Sequence, residues 1–514
     1  SSILRASAKT VPPFRRHTPT RRTAKSLHND RIERDFGLTA PLRSAANPKR
    51  FIVPIRCATG NALFTRDARS DALPQPRRAP FDATRRTDLL LPICCWPWRR
   101  ACGMMRGMWL LTLIFGLLTA GLAWMLFGYG HVMWLAGLFR PRREPEHPSE
   151  WPRLSVVVPC YDEEREILAK LDDLRALDYP RDRMEVVFAD GGSRDGTLPR
   201  LREAIRPDEP FRVAECPRAG KVPQINHVLP SLTGDIVVNT DVDARLDPQA
   251  LKWLAAELHA APEAWVVGAY CRPADAIPVE RYYWQAQNKG RLLESDAGAL
   301  PIAIAQCYAF RKELLAAFPE DVVADDIYVA LLAGTRGRHS VYSRRAQATE
   351  TRGPATVRAF LYHKLRKSNA YLRETLRFAY RLPELGMLSK IMLLTRISQQ
   401  LLLPWVMALW ILTAGALLTL FRLDLVIYGA LFLAAMLLAS RGVYQSVKLP
   451  DEQPAPLSVI LWGYLLTNLI LLATALTYPY LRQDSRYGRL PAAERGAGGT
   501  PEGAAAAAGG GTGA

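Results

Sequence analysis

Cysteine is scarce, with eight in 514 residues, which excludes a disulfide-dense secreted scaffold. Cys94, Cys95 and Cys102 lie close together, but they form no CxxC pair and no histidine follows at a zinc-site spacing. Cys160, Cys216, Cys271 and Cys307 are scattered and read as ordinary buried thiols. Acidic residues are scarce at one end of the chain. Residues 1–107 carry 22 Lys and Arg against 7 Asp and Glu, so +15 of the formal net charge of +18 sits there, and the remaining 407 residues are nearly balanced at +3. That stretch also lacks apolar periodicity and any interleaving of aromatics with its arginines, so nothing in it forms a nucleic-acid-binding module. Residues 1–106 read as a basic, low-complexity, disordered tail. An organellar transit segment and an N-terminally extended reading frame are the other accounts of it. No nucleic-acid partner is expected.

Formal charge is absent altogether from residues 107–139, GMWLLTLIFGLLTAGLAWMLFGYGHVMWLAGLF. Those 33 positions exceed the roughly 20 needed to cross a bilayer. One tilted helix is the simpler reading; Gly128 and Gly130 leave room for a tight pair of spans. Further apolar stretches at 397–421, 425–440 and 454–480 predict three transmembrane helices across 401–480. The mixed basic and apolar run 378–400 has the pattern of a helix at the membrane interface. Arg140, Arg142 and Arg143 favour a cytoplasmic side for whatever follows the first span. The Ala- and Gly-rich end, 491–514, reads as disordered.

Between the apolar blocks lies a stretch, 150–375, of the size of one α/β domain. LSVVVP (154–159), MEVVFAD (184–190), GDIVVNTD (234–241), AWVVGAY (264–270) and AIAQCYAF (303–310) are short apolar runs of buried-strand type. ILAKLDDLRAL (167–177) has helical leucine spacing. Strands alternating with helices predict a mostly parallel central sheet covered on both faces, with ligands collecting beyond the carboxyl ends of the strands.

Three acidic motifs stand at those ends: PCYDEE (159–164), ADGGSRDGT (189–197) and VVNTDVDA (237–244). One carboxylate at a strand end is commonly a helix cap; three in register are harder to dismiss. Asp241 and Asp243, separated by one residue, can place one carboxylate on a divalent cation and the other on the ligand. Mg2+ and Mn2+ suit few protein oxygens completed by phosphate oxygens. Lys221, after a glycine in AGKVPQIN (219–226), is suited to neutralising a phosphate.

On these motifs the middle domain resembles the family 2 glycosyltransferases of GT-A fold, especially the membrane-embedded synthases of hyaluronan, cellulose, chitin and poly-N-acetylglucosamine type. The resemblance implies an α/β GT-A nucleotide-diphospho-sugar transferase domain flanked by transmembrane helices, in a multi-pass protein of the cell membrane with its catalytic domain cytoplasmic. By the same resemblance Tyr161 and Glu163 begin the nucleotide pocket, and Asp190 recognises the base, typically uracil. Lys221 belongs to the nucleotide-sugar pocket, and Asp241 and Asp243 form the DxD motif, with Asp243 on Mg2+ or Mn2+. Asp326 is the implied catalytic base in FPEDVVADDIYVALLAG (318–334), with Asp325 its neighbour. Glu320-Asp321 is a rival pair at a poorer distance from the helix IYVALL. The segment His363-Lys364-Leu365-Arg366-Lys367 occupies the family's QxxRW motif. Arg366 is retained as a diphosphate contact, His363 replaces Gln and Lys367 replaces Trp.

The implied reaction is inverting, metal-dependent sugar transfer from a nucleoside-diphosphate sugar, UDP-linked by expectation, to a growing polysaccharide. Transfer of a single sugar to a lipid-linked acceptor is the alternative; a non-catalytic subunit of an assembly complex is another. Membrane lipid and secretion or assembly subunits are the further partners implied. Trp284 and Gln285, on a predicted helix, are left outside this set because aromatics at helical spacing usually serve packing.

Overall fold

The computed structural model describes residues 91–140, 144–302 and 306–480, with side chains from residue 105 onward. The expectations for residues 1–90 and 491–514, for Cys94, Cys95 and Cys102, and for Arg142 and Arg143 lie outside what it describes. Leu91–Ala123 (α1) passes through a π-helical turn, Trp124–Gly128, into Tyr129–Leu138 (α2). The π turn has an identifiable partner: Gln399 Nε2 donates to the Met125 carbonyl at 2.6 Å.

The middle of the chain alternates as expected: Leu154–Cys160 (β1), Ile167–Arg175 (α3), Met184–Asp190 (β2), Thr197–Ala204 (α4), Phe211–Glu215 (β3), Lys221–Val228 (α5) and Ile236–Thr240 (β4). Then follow Ala244–Leu246 (β5), Ala250–Ala260 (α6), Ala264–Pro273 (β6), Pro278–Ala297 (α7), Cys307–Arg311 (β7), Asp325–Thr335 (α8), His339–Glu350 (β8) and Val357–Arg377 (α9). The strands form one sheet in the order β3-β2-β1-β4-β7-β6-β8-β5. Its first half, β3 to β4, is parallel throughout; β7 runs antiparallel to both β4 and β6, β6 and β8 are parallel, and β5 returns antiparallel to β8. The sheet is therefore mixed, with four parallel pairings among seven.

Side-chain alternation along the strands divides the core between two faces. Val156 and Val158 pack with Ile167, Leu171 and Leu254 on one face. Val157 and Val187 point to the other, where Ile225, Leu292 and Leu331 continue the core to Met133 of α2 and Met392. The domain thus shares one continuous apolar core with the helices beneath it.

After α9 come Met387–Leu401 (α10), Leu403–Thr419 (α11), Leu423–Ser446 (α12) and Leu457–Thr477 (α13). The apolar run at 397–421 is divided: α10 and α11 meet at 62°, and Pro404 sits in the first turn of α11, where its missing N–H costs nothing. The short run at 425–440 grows into the 24-residue α12, because polar residues at its ends extend the helix beyond the apolar count. Among the described residues three helical stretches, Met105–Leu138, Leu423–Ser446 and Leu457–Thr477, are long and apolar enough to cross a membrane, and the bent α10–α11 pair makes up to four.

Candidate active site

Lys221 opens α5 directly after Gly220, whose φ of 129° is closed to most side chains. That turn aims the lysine over the carboxyl end of β4. Its Nζ lies 2.8 Å from Asp241 Oδ1 and 3.3 Å from Asp325 Oδ2. Asp325 begins α8 and is only 3% exposed. It also accepts hydrogen bonds from Tyr308 Oη at 2.5 Å and, more weakly, from Asn239 Nδ2 at 3.5 Å. Residues from β4, β7, α5 and α8 thus converge on one carboxylate. Burial would lower the basicity of Lys221, but Asp241 and Asp325 more than offset it and hold the ammonium above its ordinary pKa. Burial also raises Asp241, with Lys221 opposing.

Asp326, the next residue of α8, is half-buried. Burial first, and then the charge of Asp325, push its carboxyl up to about 7. The rival pair lies elsewhere: Asp321 is held at the surface by Arg377 and Arg373, and Glu320 by Arg218.

Asp243 sits on the turn after β4. Its backbone carbonyl accepts from Thr351 N at 2.8 Å and Thr351 Oγ1 at 2.9 Å. Its carboxylate accepts from Arg352 Nε at 3.0 Å, and the same guanidinium forks onto Glu163 at 2.8 and 3.3 Å. Beneath the turn, the fully buried Lys170 donates to the Ala244 carbonyl at 2.6 Å, Asp173 Oδ2 at 3.1 Å and Thr240 Oγ1 at 3.2 Å. Burial lowers its pKa. Lys170→Met would take its cation from the largely buried Asp173, leaving it the Leu246 N–H at 3.0 Å, and is expected to cost about 3–5 kcal/mol. That corresponds to a thermal midpoint lower by roughly 6–20 °C, read by a melting scan of the purified protein; an unmoved midpoint would show that the turn does not depend on this lysine.

Tyr161 and Glu163 stand on a loop joined to the DGGSRDGT turn. Asp162 N donates to Ser193 Oγ, Asp162 Oδ1 accepts from Arg194 N, and Glu163 N donates to Thr197 Oγ1, all within 2.7–2.8 Å. Asp190 is buried beneath this joint. It accepts from Gly192 N and Ser193 N at 3.0 Å and from Ser193 Oγ at 2.5 Å, so its carboxylate shapes its own loop. Arg366, on the exposed side of α9, lies within electrostatic reach of Asp241 and Glu350.

Lys367 Nζ lies 3.6 Å from Glu350 Oε1 and 5.8 Å from the centroid of the Trp284 ring. Glu350 is buried, its pKa is raised by that burial, and its Oε2 has no hydrogen-bond partner. Trp284 donates to Glu280, which also holds Lys364 Nζ at 2.7 Å. Burial keeps His363 neutral by pushing its pKa well down; it is a core histidine.

Sequence reasoning missed Arg352, Tyr308 and Lys170 as site residues, although Tyr308 and Lys170 stand in AIAQCYAF (303–310) and ILAKLDDLRAL (167–177), and it set Trp284 aside. The residues present fit a divalent cation. Asp241 and Asp243 offer hard oxygens on one turn with their side chains 29% and 22% exposed. Among the described residues no three His, Cys, Asp or Glu side chains are arranged as a closed cage, so any ion here would complete its shell with ligand oxygens.

Residues 155–318 match Glycosyl transferase family 2. An N-acetylglucosaminyltransferase of Mesorhizobium japonicum is 23% identical over 252 residues, 45% of this chain and 59% of that protein. Cellulose synthase 2 of Novacetimonas hansenii is 24% identical over 236 residues, 43% of this chain and 14% of that one. Among solved structures, a mannosyltransferase from Pyrobaculum calidifontis in complex with GDP-Man and Mn2+ is 26% identical with a TM-score of 0.54, covering 72% of this chain and 99% of its own. The chain spans about three-fifths of the length of the N-acetylglucosaminyltransferase it matches.

Proposed function

With residues 155–318 forming a family 2 glycosyltransferase domain, we propose that the protein transfers a sugar from a nucleoside-diphosphate sugar, with inversion, to a hydroxyl acceptor presented at a membrane. One observation carries this reading: Lys221 joins Asp241 of the DxD turn to Asp325, directly before Asp326, at the carboxyl ends of the strands. Asp326 takes the proton of the acceptor hydroxyl as it attacks the anomeric carbon. Asp325 anchors the start of α8 and so orients Asp326. Lys221 and Arg366 face the charge that grows on the leaving diphosphate. Asp243, with Asp241, holds Mg2+ or Mn2+, which supplies further charge stabilisation on the diphosphate when bound. Tyr161 and Glu163 border the nucleotide, and Asp190 sets the loop against which its base lies.

The donor is UDP-linked in this reading, as an N-acetylhexosamine, in keeping with the name of the rhizobial relative; GDP-mannose is the competitor raised by the archaeal one. The acceptor is a growing polysaccharide. A second reading, single transfer to a lipid-linked sugar, is favoured by Lys367: an ammonium held by Glu350 stands where processive synthases carry a tryptophan for stacking. We place the domain on the cytoplasmic face of the cell membrane, with α10 at the interface and three or four spans.

The test is a panel of UDP- and GDP-sugars offered to membranes containing the protein, with product anomer, length and pH dependence read together. Because the base must be deprotonated, kcat/KM is expected to rise about tenfold per pH unit up to about 7 and then level. Chelation of divalent ions is expected to abolish transfer. Retained anomeric configuration, or transfer indifferent to pH between 5 and 8, would overturn this mechanism.

A further inference from the structure

Arg352 has no part in the reaction as derived so far, yet its guanidinium is engaged by two carboxylates at the DxD turn. Its guanidinium forks onto Glu163 at 2.8 and 3.3 Å and reaches Asp243 at 3.0 Å through Nε. The backbone that carries it is fixed to the same turn, since Thr351 donates twice to the Asp243 carbonyl. Glu350, two residues earlier, pairs in register with Ala244. The loop of β1, the turn after β4 and the end of β8 are therefore clasped by one side chain, itself about a quarter exposed.

We propose that Arg352 couples cation binding to nucleotide binding. Resting on the donor reading above, the inference makes it a positioning residue. Without nucleotide, the guanidinium neutralises Asp243 and Glu163 and repels a second cation from the same carboxylate. A diphosphate reverses this balance, because its negative oxygens accept the fork of an arginine as readily as a carboxylate does. Asp243 is then released to the metal. Coupling of this kind is reciprocal: nucleotide tightens the metal by the same factor as metal tightens the nucleotide.

Calorimetric titration of the full detergent-purified chain with Mn2+, alone and with saturating UDP or GDP, tests this. In the wild type, nucleotide is expected to tighten Mn2+ by about tenfold or more. In R352Q, Mn2+ alone is expected to bind roughly three- to tenfold tighter, with the nucleotide effect reduced below about threefold. R352K keeps the charge without the fork, so its nucleotide-free Mn2+ affinity stays near wild type while the coupling falls; it serves if R352Q does not fold. Wild-type Mn2+ affinity and coupling in R352Q, or undiminished coupling in R352K, would overturn the proposal. If the wild type binds neither nucleotide, the donor reading fails. The nucleotide-free Mn2+ arm still decides on Arg352, with unchanged affinity in R352Q counting against it.

Discussion

Asp326→Asn is expected to lower turnover by about 10^2- to 10^4-fold while leaving nucleotide affinity within about twofold of wild type. The substitution is nearly isosteric, and Asn is tolerated in the first turn of a helix, so α8 and its anchor at Asp325 stay in place. What disappears is the only function assigned to this carboxyl, acceptance of a proton from the attacking hydroxyl. A pKa of about 7 suits that task, since about half of such a base is available at neutrality and it is still strong enough to accept. Asp325→Asn is the informative companion. Asp325 receives Lys221, Tyr308 and Asn239, so its neutralisation is expected to disturb nucleotide affinity and the start of α8 as well as turnover. Single-turnover rates and nucleotide affinity measured on both variants separate the two roles. Full turnover in D326N would move the base to another carboxylate, with buried Glu350 the next to test.

Much of this arrangement is legible in the sequence, for reasons that differ by element. β1, β2 and β4 are buried throughout, save for the half-buried Glu185 of β2, so their apolar runs identify them, and the acids that follow must lie at their carboxyl ends. β8 was invisible because half of its alternating positions face outward and Arg344 and Arg345 interrupt its pattern. β5 has three residues and exists only through its pairing with β8. Arg352 joins residues 109 and 189 positions away, and no local spacing announces such a contact. Leucine spacing marks 167–177 as a helix but does not mark Lys170 as buried; it is fully buried because the DxD turn supplies acceptors for it. The bend between α10 and α11 follows from Pro404, which hydropathy alone counts as one more apolar position. Identities at strand ends were therefore readable, whereas the cations that hold those ends together were fixed only by tertiary contact.

Lys221→Met is the second large effect expected, and it has two separable parts. Loss of the ammonium removes a charge aimed at the leaving diphosphate, worth about 10^2- to 10^3-fold in turnover by comparison with lost oxyanion donors. It also leaves Asp241, Asp325 and Asp326 together without the cation that now lies 2.8 and 3.3 Å from the first two. Lys221 is one of the influences that hold the Asp326 pKa down. Removing it therefore raises that pKa, and a base with a higher pKa is lost at a higher pH. The acid limb of kcat/KM is expected to move upward by about one unit or more, so part of the deficit at pH 7 returns on raising the pH. The part owed to the diphosphate does not return. A pH profile of K221M beside wild type distinguishes them: a depressed plateau with a shifted limb supports both roles. A depressed plateau with the limb unmoved would uncouple Lys221 from Asp326 and leave it as a donor-binding residue alone.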